Sequence, residues 1–280
     1  MNQKLSTGKT ILMVVSAIVI LVLAQTLAMA AGNVMVAVGA SAAVGNLLTG
    51  ILYPVVALVL AFLLCVKIVK ITTNECKITK FSLKPVWCIT AFVMPAVVSS
   101  ILLLTNGHWE NNVMNSADTW TLITGTVMFY GLGTGIVEEL VFRGLIMSAL
   151  EKRFHKAVAI IVPSVLFGAL HVIGNDLDMR SIVQLLIAGS MVGVLFSLVA
   201  YESGNIWNGA LIHAVWNIII IGGILHIGDT ADKQAIYNYV LDTDSFLLTG
   251  GDFGIEASVV AVGVYLLFAG VAWRFCKKNS

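Results

Sequence analysis

Apolar residues occupy this chain in long blocks, broken by short polar stretches. Blocks of about 18 to 25 apolar residues can cross a bilayer as helices, because a helix satisfies its own backbone hydrogen bonds there. The pattern predicts eight such blocks, at about 10–31, 47–68, 86–105, 119–149, 157–173, 182–200, 205–226 and 256–273. The fourth is too long for one straight crossing. Gly131, Gly133 and Gly135 lie inside it, so a bend or irregular turn is expected there, with a second helical piece carrying Glu138 to Leu150. Pro54, Pro95 and Pro163 are expected to kink or start other helices. The fold class that follows is all-α, a polytopic transmembrane helical bundle of about eight spans. It is read as a single membrane domain over residues 1–280, without internal repeats.

Composition agrees with this pattern. The 280 residues are 59% hydrophobic and only 11% charged, against about 25% charged in an ordinary soluble domain. Charge then orients the bundle. With the N-terminus inside, the inner segments hold Lys4, Lys9, Lys67, Lys70, Lys77, Lys80, Lys84, Lys152, Arg153, Lys156, Arg274, Lys277 and Lys278, while the outer ones hold Arg180 and Lys233. Acidic residues crowd the outer side instead: Glu110, Asp118, Asp176, Asp178, Asp229, Asp232, Asp242, Asp244 and Asp252. Both termini are therefore expected inside, in contact with the lipid bilayer and with no nucleic-acid partner. Cys65, Cys76, Cys88 and Cys276 fall on or near the reducing inner side, so no disulfide framework is expected. Lys4, Lys9, an apolar run and Ala28–Ala30 resemble a signal peptide, but the length of the run favours an uncleaved first span. The longest polar connection, about Gly228 to Phe253, is read as an external acidic loop with Tyr237, Tyr239 and Val240 able to pack on the membrane surface. The GSMVG stretch at Gly189–Gly193 is read as a close helix contact.

Ionisable residues inside the blocks carry the chemistry, because each costs several kcal/mol in hydrocarbon unless paired, hydrated or used. Glu138, Glu139 and Arg143 lie in the fourth block, His171 in the fifth, and His213 with Asn217 in the seventh. Glu139 and Arg143 are four apart on one helix face, the spacing of a neutralising pair. Glu138 is turned by about 100° from Glu139 and is left available for acid and base work. His213 and Asn217 project together, and Phe167 precedes His171 by one turn. Counted from the inner helix ends, Glu138, His171 and His213 sit roughly 18, 21 and 12 Å deep.

Such a group suits the activation of water. Glu138 would act as general base, His171 would orient the water or stabilise the charge, and His213 with Asn217 would donate hydrogen bonds to an oxyanion. Glu138, His171 and His213 are equally the donors that would hold a divalent metal such as zinc, and spacing does not choose between the two. Taken singly, each His is an ordinary interhelical hydrogen-bonder, and the Glu–Arg pair an ordinary buried ion pair. Their similar depth makes the set a candidate site. His108, His155 and His226 lie at block ends and receive no role. Trp87, Trp120, Trp207 and Trp273 are read as interfacial anchors. GLGTG at Gly131–Gly135 lacks the Lys and strand of a phosphate loop.

The residues EELVFR at Glu138–Arg143, FGALH at Phe167–His171 and HAVWN at His213–Asn217 resemble, in order, the EExxxR, FxxxH and HxxxN motifs of the CPBP intramembrane proteases. That family joins type II CAAX prenyl endopeptidases with bacteriocin-processing and immunity proteins. The resemblance spans about residues 130–220, inside a motif-bearing core at about 119–226. It implies a helical membrane bundle that hydrolyses a bond in a peptide or protein substrate, with catalytic residues Glu138, Glu139, Arg143, His171, His213 and Asn217. Both chemistries, glutamate-activated water and bound metal, stay open. A multi-pass protein of a bacterial plasma membrane is expected. The rival readings are a noncatalytic scaffold or bacteriocin self-immunity protein, and a proton-coupled transporter in which the Glu and His side chains relay protons.

Overall fold

The computed structural model describes residues 4–278. Among the described residues, six helices are long and apolar enough to cross a membrane: α1 (Thr7–Ala37), α2 (Ala42–Val69), α3 (Pro85–Leu103), α4 (Ser116–Glu151), α6 (Met179–Ser203) and α8 (Val259–Lys278). Two shorter apolar helices, α5 (Lys156–Leu170) and α7 (Trp207–Ile221), complete the eight blocks. Ser6 and Ser41 start α1 and α2 by accepting hydrogen bonds from the backbone N–H groups of Lys9 and Val44. Pro54, Pro95 and Pro163 all lie inside helices.

Helix α4 contains the expected irregularity, in the form of two π-helical stretches. Gly125–Gly133 and Leu140–Ile146 are π-helical, with a short α segment, Thr134–Glu139, between them. Helix α7 also ends in a π turn, Asn217–Ile221. Such turns re-aim side chains by widening the helix locally and recur at functional sites.

The all-α expectation needs one correction, because a three-stranded sheet caps one end of the bundle. Strand β1 (Gly107–Asn111) pairs antiparallel with β3 (Tyr237–Leu241), which pairs in parallel with β2 (Leu225–Gly228). The supposed loop 228–253 therefore contains a central strand. Asn238, Tyr239 and Val240 are buried in it, and the Tyr239 hydroxyl donates to the Thr105 carbonyl at 2.8 Å. Tyr239 and Val240 thus pack within the protein.

The other end of the bundle carries the lysines. Lys77–Glu151, Lys152–Glu75 and Lys84–Glu202 each close at 2.6 Å, and the segment between α2 and α3 lies across the end of α4. There the Lys77 carbonyl accepts from Ile206 N–H, and the Thr79 carbonyl accepts from the Trp207 indole. Trp87 corrects a second expectation. It is fully buried, its indole N–H donating to Glu202 Oε2 at 2.7 Å, because the Lys84–Glu202 pair brings a carboxylate beneath the first turn of α3. Trp120 and Trp273 are exposed, as anchors would be.

Small residues set the helix spacings that matter. A Cβ on Gly189 would lie 2.6 Å from Gly168 Cα, and one on Gly193 would lie 2.7 Å from Ser164 Cα, so α5 and α6 touch backbone to backbone. A Cβ on Gly135 would meet Ala214 N at 2.8 Å, which brings α4 onto α7 one turn before the paired glutamates.

Candidate active site

Arg143 is the anchor of the site. It is completely buried, its Nη1 donates to Glu139 Oε1 at 2.9 Å, and its Nη2 donates to the Gly193 carbonyl at 3.1 Å. Phe167, Phe196 and Phe142 surround the guanidinium at 4.8, 5.1 and 5.6 Å from their ring centroids. A cation taken out of water is held here by one carboxylate, one carbonyl and three ring faces. Phe167 therefore does more than pack beside His171.

Glu139 passes this charge on to His213. Glu139 Oε1 lies 3.3 Å from His213 Nδ1, and Phe196 stacks on the imidazole at 5.0 Å and 19°. A carboxylate on Nδ1 fixes the proton there and fixes the ring's orientation, so Nε2 is the atom turned toward Glu138. The separation from Glu138 Oε2 is 3.7 Å, beyond a direct hydrogen bond.

Glu138 is thus set apart from its neighbour. Its side chain retains 14% exposure while Glu139 has none; Oε2 of each carboxylate has no hydrogen-bond partner among the described residues. His171 follows the last turn of α5 and donates from Nδ1 to the Phe167 carbonyl at 2.8 Å, with no hydrogen bond to Nε2 among the described residues. Asn217 donates from Nδ2 to the Tyr130 carbonyl at 2.8 Å, tying α7 to the first π stretch of α4. Its second amide hydrogen remains for another acceptor.

These side chains share a cavity of about 390 Å³, lined by Glu138, His171, His213 and Asn217. Glu139 and Arg143 stand behind the wall. Among the described residues, no three His, Cys, Asp or Glu side chains converge closely enough to hold a metal ion.

One lining residue escaped the sequence reading. Glu256 sits in a 3₁₀ turn, Ile255–Ala257, just before α8, and faces the same cavity. Burial pushes its pKa up to about 7, against the opposing pull of His171 and His213 and with a further push from Glu138. A lone carboxylate at the start of an apolar block reads as an ordinary membrane-edge residue. The available signal was its place in GIEASVV, with no basic residue nearby to pair it.

No curated protein and no solved structure matches the chain. Residues 119–219 match the family described as type II CAAX prenyl endopeptidase Rce1-like, a segment that includes every motif residue of the cavity and a little over a third of the chain. That match supports assigning this segment to the CPBP and CAAX-type intramembrane protease family.

Proposed function

We propose that this protein is an intramembrane endopeptidase of a bacterial plasma membrane, crossing it eight times with both termini inside, and that Glu138 activates the hydrolytic water. The observation that carries the reading is the division of labour between adjacent glutamates. Glu139, fully buried, is held through Oε1 by Arg143 and His213, whereas Glu138 is 14% exposed, lines the cavity and comes no closer to His213 Nε2 than 3.7 Å.

The chemistry balances on these residues. Glu138 takes a proton from a water in the cavity, and the water oxygen attacks the scissile carbonyl carbon. The second amide hydrogen of Asn217 is available to the resulting oxyanion. As the tetrahedral species collapses, the C–N bond breaks and Glu138 returns the proton to the leaving amine. His171 Nε2 orients the water. Should a metal take part, Glu138, His171 and His213 would be its ligands, and their side chains would have to draw together. A scaffold or transporter reading has no comparable observation in its favour. The test is cleavage of a membrane-peptide library by protein in lipid, wild type beside Glu138→Gln; equal cleavage by both would overturn the assignment.

A further inference from the structure

The cavity has a definite entrance side. Much of its lining comes from the halves of the helices that point toward the sheet: Phe167 and His171 at the end of α5, Leu185 and Ala188 in the first half of α6, and Asn217 and Ile221 at the end of α7, with Glu138, His213 and Phe196 at its deep end. Toward the basic end, every residue from Glu139 to Leu150 is buried. The segment between α2 and α3 covers that end, coming so close that a Cβ on Gly144 would lie 3.4 Å from the Cys76 carbonyl oxygen. Passage from the basic end is closed by packed side chains and by the three lysine ion pairs.

At the sheet end lies a second, larger hollow of about 950 Å³. Its wall is polar, with Asn33, Asn46, Asn112, Asp118, Thr121 and Gln234 contributing from α1, α2, α4 and the connections around the sheet. Phe129, Tyr130 and Ile221 line both this hollow and the catalytic cavity. Tyr130 stands at the divide, half exposed, with its carbonyl held by Asn217. A side chain of the site is thereby fastened to the partition between the two spaces.

We propose that the larger hollow is the substrate vestibule, that it opens on the non-cytoplasmic face, and that the substrate is an exported, membrane-anchored peptide or protein whose cleaved segment lies on that face. The inference rests on the protease reading for its substrate and on the excess of lysine at the opposite end for its side. An extended polar segment fits a wall rich in amide and hydroxyl groups, and Phe129, Tyr130 and Ile221 then offer apolar surface at the approach to Glu138. The lysine-sealed end leaves no comparable path for a cytoplasmic tail.

Two thiol readouts test it. Thr121→Cys and Gln234→Cys in the vestibule, and Ser82→Cys on the exposed basic-end segment, are made in the full chain and treated in intact bacterial cells with a membrane-impermeant maleimide. The vestibule cysteines are expected to react in intact cells, and Ser82→Cys only after permeabilisation. The reverse pattern would overturn the proposal. In lipid vesicles, a bulky maleimide on Thr121→Cys is expected to slow cleavage of the peptide library at least ten-fold while leaving the Ser82→Cys protein within two-fold of its unmodified rate. An undiminished rate from fully modified Thr121→Cys would refute the vestibule. Failure of wild type to cleave any peptide would instead overturn the protease reading, and the substrate class with it, while the labelling pattern would still decide which face the hollow opens on.

Discussion

Removing Arg143 exposes how the site is held. In Arg143→Met, the Glu139 carboxylate stays fully buried with only His213 at 3.3 Å, the Gly193 carbonyl loses a donor, and three phenylalanines lose the cation between them. Breaking one partner out of a buried pair costs about 3–5 kcal/mol, because the remaining charge is stranded. Against a typical total of about 5–15 kcal/mol, that is a large fraction of the fold's stability. The double variant Arg143→Met with Glu139→Gln removes both charges, and its stability should return to within about 1–2 kcal/mol of wild type. Its activity should not return, since His213 would have lost the carboxylate that orients Nε2. The assay is thermal unfolding and folded yield by size-exclusion in detergent, followed by peptide cleavage in lipid. A single variant as stable as wild type, or a double variant no better than the single, would refute the buried-pair reasoning. Recovery of cleavage in the double variant would refute the role of Glu139 behind His213.

Other consequences follow from the same geometry. Glu256 binds its proton more tightly folded than unfolded, between the ordinary value of 4.5 and about 7, so its contribution to stability is present at low pH and falls as pH rises through that window. Glu256→Gln should remove this loss, and unfolding temperatures of both proteins from pH 4 to 8 check it; superimposable pH curves would count against the buried carboxylate. Gly193→Leu must push α6 away from Ser164 and should destabilise by about 1–3 kcal/mol, whereas Gly263→Leu, with open space beside it, should be neutral by the same unfolding measurement. Dialysis against a strong chelator should leave the cleavage rate unchanged if Glu138 acts on water directly. A rate lost on dialysis and restored by added zinc would assign Glu138, His171 and His213 to a metal instead.

Much of this architecture was legible because a bilayer leaves few ways to bury polar groups. The apolar blocks correspond to helices, and the four-residue step from Glu139 to Arg143 places an ion pair on one face, as it does at 2.9 Å. What sequence could not supply were contacts made across helices. The Glu139–His213 bond needs α4 and α7 to cross at Gly135, and nothing in either segment names the other. The π stretches of α4 leave no mark on a continuous apolar run. Strand β3 was hidden in a polar connection because its partners, β1 and β2, lie far away or across a turn. Trp87 looked like an anchor because the carboxylate that buries it belongs to a residue more than a hundred positions on.

The central claim is that one glutamate of the pair performs the proton transfers. Glu138→Gln preserves size and shape at a cavity wall, so its unfolding temperature in lipid should match wild type. Its rate of cleavage against the membrane-peptide library should fall by about 10²-fold or more, the usual share of a general base. A folded Glu138→Gln protein that cleaves at the wild-type rate would contradict the account.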